Sequence, residues 1–74
     1  MKNFKVSIVV EKDKDGYYAY CPEFQGCYSQ GNTYEETIEN IKDAVRLHIE
    51  DRLAEGEEVP QHEIISLSSI EVAV

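Results

Sequence analysis

Phe4, Val6, Ile8 and Val10 alternate with Lys5, Ser7, Val9 and Glu11. A two-residue period predicts a strand with one buried face. Lys12-Asp13-Lys14-Asp15-Gly16 follows as a turn, with Asp15-Gly16 its tight element. Tyr17-Tyr18-Ala19-Tyr20-Cys21 is a second strand, because aromatic residues favour a pleated surface. The two strands read as an antiparallel hairpin. Pro22 cannot donate to a ladder and ends the second strand. Glu23 to Gly26 lead into a short third strand, Cys27-Tyr28-Ser29-Gln30, closed by Gly31.

The period then changes. Tyr34, Ile38, Ile41, Val45, Ile49 and Leu53 recur at steps of three or four residues, which predicts one apolar stripe on a helix. Thr33 and Glu36 have capping-box spacing at its start. Glu35 and Glu36 place carboxylates at the positive end of the helix dipole. The helix is expected to run to about Ala54 and to stop near Gly56. Glu57-Glu58-Val59-Pro60-Gln61 is a polar connection. Ile70, Val72 and Val74 alternate with Ser69, Glu71 and Ala73, which predicts a final strand. The order is β-β-β-α-β. It implies one α+β domain over 1–74, a three-stranded antiparallel sheet with one long helix packed on it and a final strand.

Charge adds a location to this outline. The 74 residues hold 15 acids against 7 Lys and Arg, a net of −8. Such a balance argues against nucleic acid or an anionic membrane as a direct partner, since phosphate binding needs cationic side chains. No segment approaches the roughly 20 apolar residues of a membrane helix, and no signal-peptide core precedes the first strand. The expected compartment is the cytoplasm. Residues 1–32 are neutral, with four acids and four bases. Residues 33–63 hold ten acids against Lys42, Arg46 and Arg52, a net of −7. At about 100° per residue, Glu36, Glu39, Asp43 and Glu50 fall on the side of the helix away from Ile38, with Leu47 opposite it. These five residues form a candidate contact surface for a basic partner or another subunit. The alternative is a solvated face, because Glu39–Lys42, Asp43–Arg46 and Arg46–Glu50 are spaced for ion pairs.

The second candidate surface is the tyrosine strand. Tyr17 and Ala19 point one way, and Tyr18 and Tyr20 the other. One pair must face the helix, and the other must face solvent or a partner. Tyrosine suits an interface because it offers a large ring with a polar tip. Cys21 and Cys27 read as reduced structural thiols, with a disulfide or a metal site as alternatives that need further geometry or ligands. His48 sits at the edge of the apolar stripe, where a packing role is expected, and His62 in a polar loop. No local spacing suggests a nucleophile–base pair or a phosphate loop. The first strand carries no acid in its middle. No catalytic, cofactor-binding or metal-binding residue is assigned.

The stretch Tyr20-Cys21-Pro22-Glu23-Phe24-Gln25-Gly26-Cys27-Tyr28-Ser29-Gln30-Gly31-Asn32-Thr33-Tyr34-Glu35-Glu36 resembles the central signature of HicB-like antitoxins. That pattern is a Pro-acidic-hydrophobic-x-Gly-Cys segment, then a Ser-x-Gly-Asp/Asn-Thr helix start and an acidic pair. Ile38-Glu39-Asn40-Ile41-Lys42-Asp43-Ala44-Val45 is similar to the helix those proteins carry. The match is dense from Tyr17 to about Leu53. The resemblance implies a partial ribonuclease-H-like fold without catalytic acids, and no enzymatic activity. It implies a binding protein that silences a small basic RNA-cleaving toxin, HicA, by covering its active surface. Self-association as a dimer or tetramer is common among such proteins. Many continue into a DNA-binding domain. Here the 21 residues after Leu53 are taken up by a loop and a strand, so no C-terminal DNA-binding domain is expected. The alternative is a stand-alone oligomeric structural or regulatory protein of the same fold with no toxin partner.

Overall fold

The computed structural model describes residues 3–60 and 69–74. Three strands, β1 (Val9–Asp13), β2 (Gly16–Tyr20) and β3 (Tyr28–Gly31), precede one helix, α1 (Tyr34–Ala54). The sheet is antiparallel in the order β1-β2-β3. The Asp13 carboxylate accepts the Asp15 amide at 2.8 Å and folds the first turn. Gly16 follows at φ +141°, a conformation that glycine adopts without a Cβ clash. The second connection continues the ladder by one bond, from the Cys21 N–H to the Cys27 carbonyl at 3.0 Å. Phe24 closes the loop, its N–H donating to Cys21 and its carbonyl accepting from Cys27.

Thr33 caps the helix as its spacing predicts, with Oγ1 accepting the Glu36 amide at 3.1 Å. The other end closes on Gly56 at φ +73°. There Gly56 N–H donates to the Leu53 carbonyl and Glu57 N–H to the Arg52 carbonyl, a Schellman arrangement.

α1 lies on one face of the sheet and touches β3 and β2. The core is Ala19, Cys21, Phe24, Cys27, Ile41 and Val45, with Val6, Ile8, Val10, Ala44, Ile49 and Val59 packed around it. The buried face of the helix is rotated from the expected stripe. Thr37, Ile41 and Val45 are buried. Tyr34 and Leu53, at the two ends of the stripe, are exposed. The cause is Phe24, which the β2–β3 loop pushes against the helix. His48 stacks on the Phe24 ring at 5.5 Å, and the Arg52 guanidinium covers it at 5.2 Å. The packing role expected of His48 is what the structure shows.

Two expected strands differ. The first begins at Val9 rather than Phe4, because its partner β2 ends at Tyr20. Residues 3–8 extend past the end of β2 and lie outside the described strands, and Val6 and Ile8 pack on the core. The final strand is absent from residues 69–74. Ile70 and Val72 are 84% and 68% exposed.

Two candidate binding surfaces

The register decides which tyrosines face outward. Ala19 is fully buried under α1, so Tyr17 shares the helix side of the sheet. There its ring meets Tyr34 edge-on at 6.4 Å, with the Lys12 ammonium 5.7 Å from its centroid. Tyr18 and Tyr20 therefore occupy the opposite face, which none of the described elements covers. Their rings stand 6.4 Å apart. Tyr20 pairs with Tyr28 on β3 and with Val9 on β1. Tyr18 pairs with Gln30 and Glu11. The uncovered face is thus a row of three tyrosines and a valine, rimmed by Glu11 and Gln30. Tyr28 is its most exposed ring, at 67%. Sequence reasoning missed Tyr28 as a surface residue. Its signal was the strand alternation across Pro22 to Gly26, which needs the register to be read.

Glu36, Glu39, Asp43, Leu47 and Glu50 are all exposed, as the helical period predicts. Their charge is less one-sided than their spacing suggests. Asp43 holds Arg46 at 2.9 Å, Glu50 approaches the same guanidinium at 3.9 Å, and Glu39 meets Lys42 at 4.0 Å. Four acids and two bases leave a net of −2 on this patch. Exposed pairs of this kind contribute little to stability. Leu47 stands among them 64% exposed.

The fold separates these two candidates. The helix covers one side of the sheet, so the tyrosine row and the acidic helix face look in opposite directions. Glu36 of the helix and Tyr18 of the tyrosine row both line a third feature, an open polar cleft that also takes in Asp13, Asp15, Gln30 and Asn32. Among the described residues no group of three His, Cys, Asp or Glu side chains is disposed to hold a metal ion. No helix among them is long and apolar enough to cross a membrane.

Cys21 and Cys27 are free and buried. Burial pushes the Cys21 thiol up to about 11, and the nearby Glu23 carboxylate adds to the shift. Burial likewise raises Cys27. A thiol held protonated is a poor nucleophile and a poor metal ligand, so this pair serves packing.

Residues 6–72 match the family model described as HicB-like antitoxin of bacterial toxin–antitoxin system. A UPF0150 protein of Synechocystis is 44% identical over 84% of this chain and 80% of its own length. A UPF0150 protein of Archaeoglobus fulgidus is 36% identical over 92% of this chain and 94% of its own. An uncharacterized 14.9 kDa protein of Haemophilus phage HP1 is 43% identical over 73% of this chain, which spans only 41% of that protein. Among solved structures, a chain of a HicA3 and HicB3 toxin–antitoxin complex superposes with a TM-score of 0.57. It is 31% identical, over 76% of this chain and 67% of that one.

Proposed function

Because this chain belongs to the HicB-like antitoxin family, we propose that it binds a small basic HicA-like toxin and silences it by covering its RNA-cleaving surface. The observation that carries this reading is the uncovered row of Tyr18, Tyr20 and Tyr28 on a protein similar to part of a HicA3–HicB3 complex. Tyrosine rings on a rigid sheet lose little conformational freedom on binding and accept cationic side chains over their faces. A surface that binds RNA presents such cations. The sheet face supplies the short-range contact in this reading.

The acidic helix supplies a field rather than a footprint. Its carboxylates are largely paired within the helix, so their role is to attract a basic partner and raise the encounter rate. The chain acts by binding and not by catalysis, in the cytoplasm, without a cofactor or metal. In the same reading Ile70, Val72 and Val74 belong to the final strand of a β-β-β-α-β arrangement with partial ribonuclease-H-like topology.

The test is co-expression with a small basic protein encoded beside it, and the absence of any such neighbour overturns the reading. Growth arrest by that protein should be relieved by this chain, and the two should co-purify at moderate salt. A neighbour that arrests growth regardless of this chain, and does not co-purify, overturns the reading.

A further inference from the structure

Across the sheet, Glu11, Tyr18 and Gln30 stand in one row, since Tyr18 pairs with Glu11 on β1 and with Gln30 on β3. Directly opposed residues share a face, so all three side chains lie on the tyrosine side. Each is exposed, Tyr18 by 44%. Among the described residues the Glu11 carboxylate makes no ion pair, and no cation lies over the Tyr18 ring. The helix side of the same strands is different, because Tyr17 there already carries the Lys12 ammonium 5.7 Å from its centroid. The acids of the helix differ too, since Glu39, Asp43 and Glu50 meet Lys42 or Arg46. The row thus combines an open aromatic face, an uncompensated carboxylate on one flank and a side-chain amide on the other. Beyond Tyr18 and Gln30 the surface runs into the polar cleft, where Asp13, Asp15 and Glu36 add their carboxylates.

We infer that Glu11, Tyr18 and Gln30 form a subsite for one arginine side chain of a basic protein partner. The inference rests on the binding reading for that partner, and it adds which cation the partner presents and where it docks. A guanidinium lies flat on an aromatic ring and still carries its N–H donors in its own plane. Neighbouring strands are about 4.8 Å apart, so Glu11 and Gln30 start about 10 Å apart with the Tyr18 ring between them. Over that ring a guanidinium can donate to the Glu11 carboxylate on one side and to the Gln30 side-chain oxygen on the other. An ammonium is a point charge and reaches only one of them. Arginine is thus selected over lysine, although both carry the same charge. The carboxylates of the cleft attract basic residues next to that arginine without choosing among them.

The experiment uses the full chain and two peptides of equal charge, pentalysine and the same peptide with arginine at its centre. Binding is followed by NMR titration of the Tyr18 ring and of the Glu11 and Gln30 signals. The arginine peptide should bind about fivefold tighter, the size of one cation–π contact at an exposed site. Glu11→Gln and Tyr18→Ala should each bring the two peptides to equal affinity, while Tyr18→Phe should keep the preference. Glu11→Gln preserves size and shape, so it reads the contact even if Tyr18→Ala unfolds. Charge reversal at Glu39, Asp43 and Glu50 should weaken both peptides together and leave their ratio unchanged. Equal affinities for the wild type overturn the inference. So does a preference that survives Glu11→Gln, or a set of shifts confined to α1. An arginine preference in a chain that neutralises no toxin supports the subsite and overturns only the toxin reading. Neutralisation by a chain with no arginine preference overturns only the subsite.

Discussion

Glu23 reaches back across the fold to Ser7. Its Oε2 accepts the Ser7 backbone N–H at 3.0 Å, sixteen residues away in sequence, and its Oε1 lies 3.7 Å from the Cys21 thiol. The β1–β2 ladder has already ended at Val9 and Tyr20. A side chain therefore supplies the acceptor that a longer β2 would have supplied, and ties the N-terminal segment to the core. Glu23→Ala should destabilise the protein by about 1–2 kcal/mol, since it leaves a half-buried amide without its acceptor. Glu23→Gln keeps an acceptor oxygen and should lose less. Urea unfolding followed by circular dichroism measures both. Equal losses would assign the effect to the charge instead.

Gly31 lets β3 pack tightly against the first turn of α1. A Cβ there would sit 2.7 Å from Thr37 Oγ1 and 2.9 Å from the Thr37 amide nitrogen. Thr37 is itself pinned, its hydroxyl donating to the Thr33 carbonyl at 2.7 Å. Gly31→Ala should therefore cost about 1–3 kcal/mol through overpacking. Each kcal/mol lowers Tm by roughly 4–8 °C in a domain of this size. An unchanged Tm would mean that the helix can stand off the strand at little cost.

The buried thiols make stability fall in alkali. Cys21 binds its proton more tightly folded, near 11, than its ordinary 9.0. The stabilisation is fully present below pH 9 and is lost as pH rises through about 11. The loss is on the order of 2–3 kcal/mol, at 1.36 kcal/mol per unit. The difference in stability between wild type and Cys21→Ala should shrink over that window. Native Cys21 and Cys27 should also resist iodoacetamide at neutral pH and react once urea unfolds the chain.

Binding to a basic toxin separates the two surfaces kinetically. Alanine at Tyr18, Tyr20 and Tyr28 should raise the dissociation rate, by tenfold or more for about 1.4 kcal/mol lost. Charge reversal at Glu39, Asp43 and Glu50 should mainly slow association, and added salt should erase that effect. Surface plasmon resonance at two salt concentrations reads both. If the charge reversals raise dissociation and the tyrosine variants bind normally, the helix face is the contact.

The hairpin, the third strand, the helix and both helix ends were legible because each depends on neighbours a few residues apart. Thr33 and Glu36 cap within one turn, and Gly56 stops the helix within another. The acidic face was legible for the same reason, since Glu39, Asp43 and Glu50 follow from helical period alone. The length of β1 was not, because it is set by where β2 ends. Nor was the tilt of the buried helix face, because it is set by Phe24 arriving from a loop.

By itself the sequence determined the elements, their order, the excess of acid on the helix and its following loop, and a family signature spanning the β2–β3 loop and the helix start. Local periodicity, caps and turn residues carry that information along the chain. Only the tertiary structure decided which tyrosines are free. The placement of α1 over Ala19 buries Tyr17's side of the sheet and leaves Tyr18 and Tyr20 outside, joined by Tyr28 through the β2–β3 register. It also set the acidic helix on the far side from that row. Period-two alternation says that two faces exist, but which one is covered depends on where the helix lands.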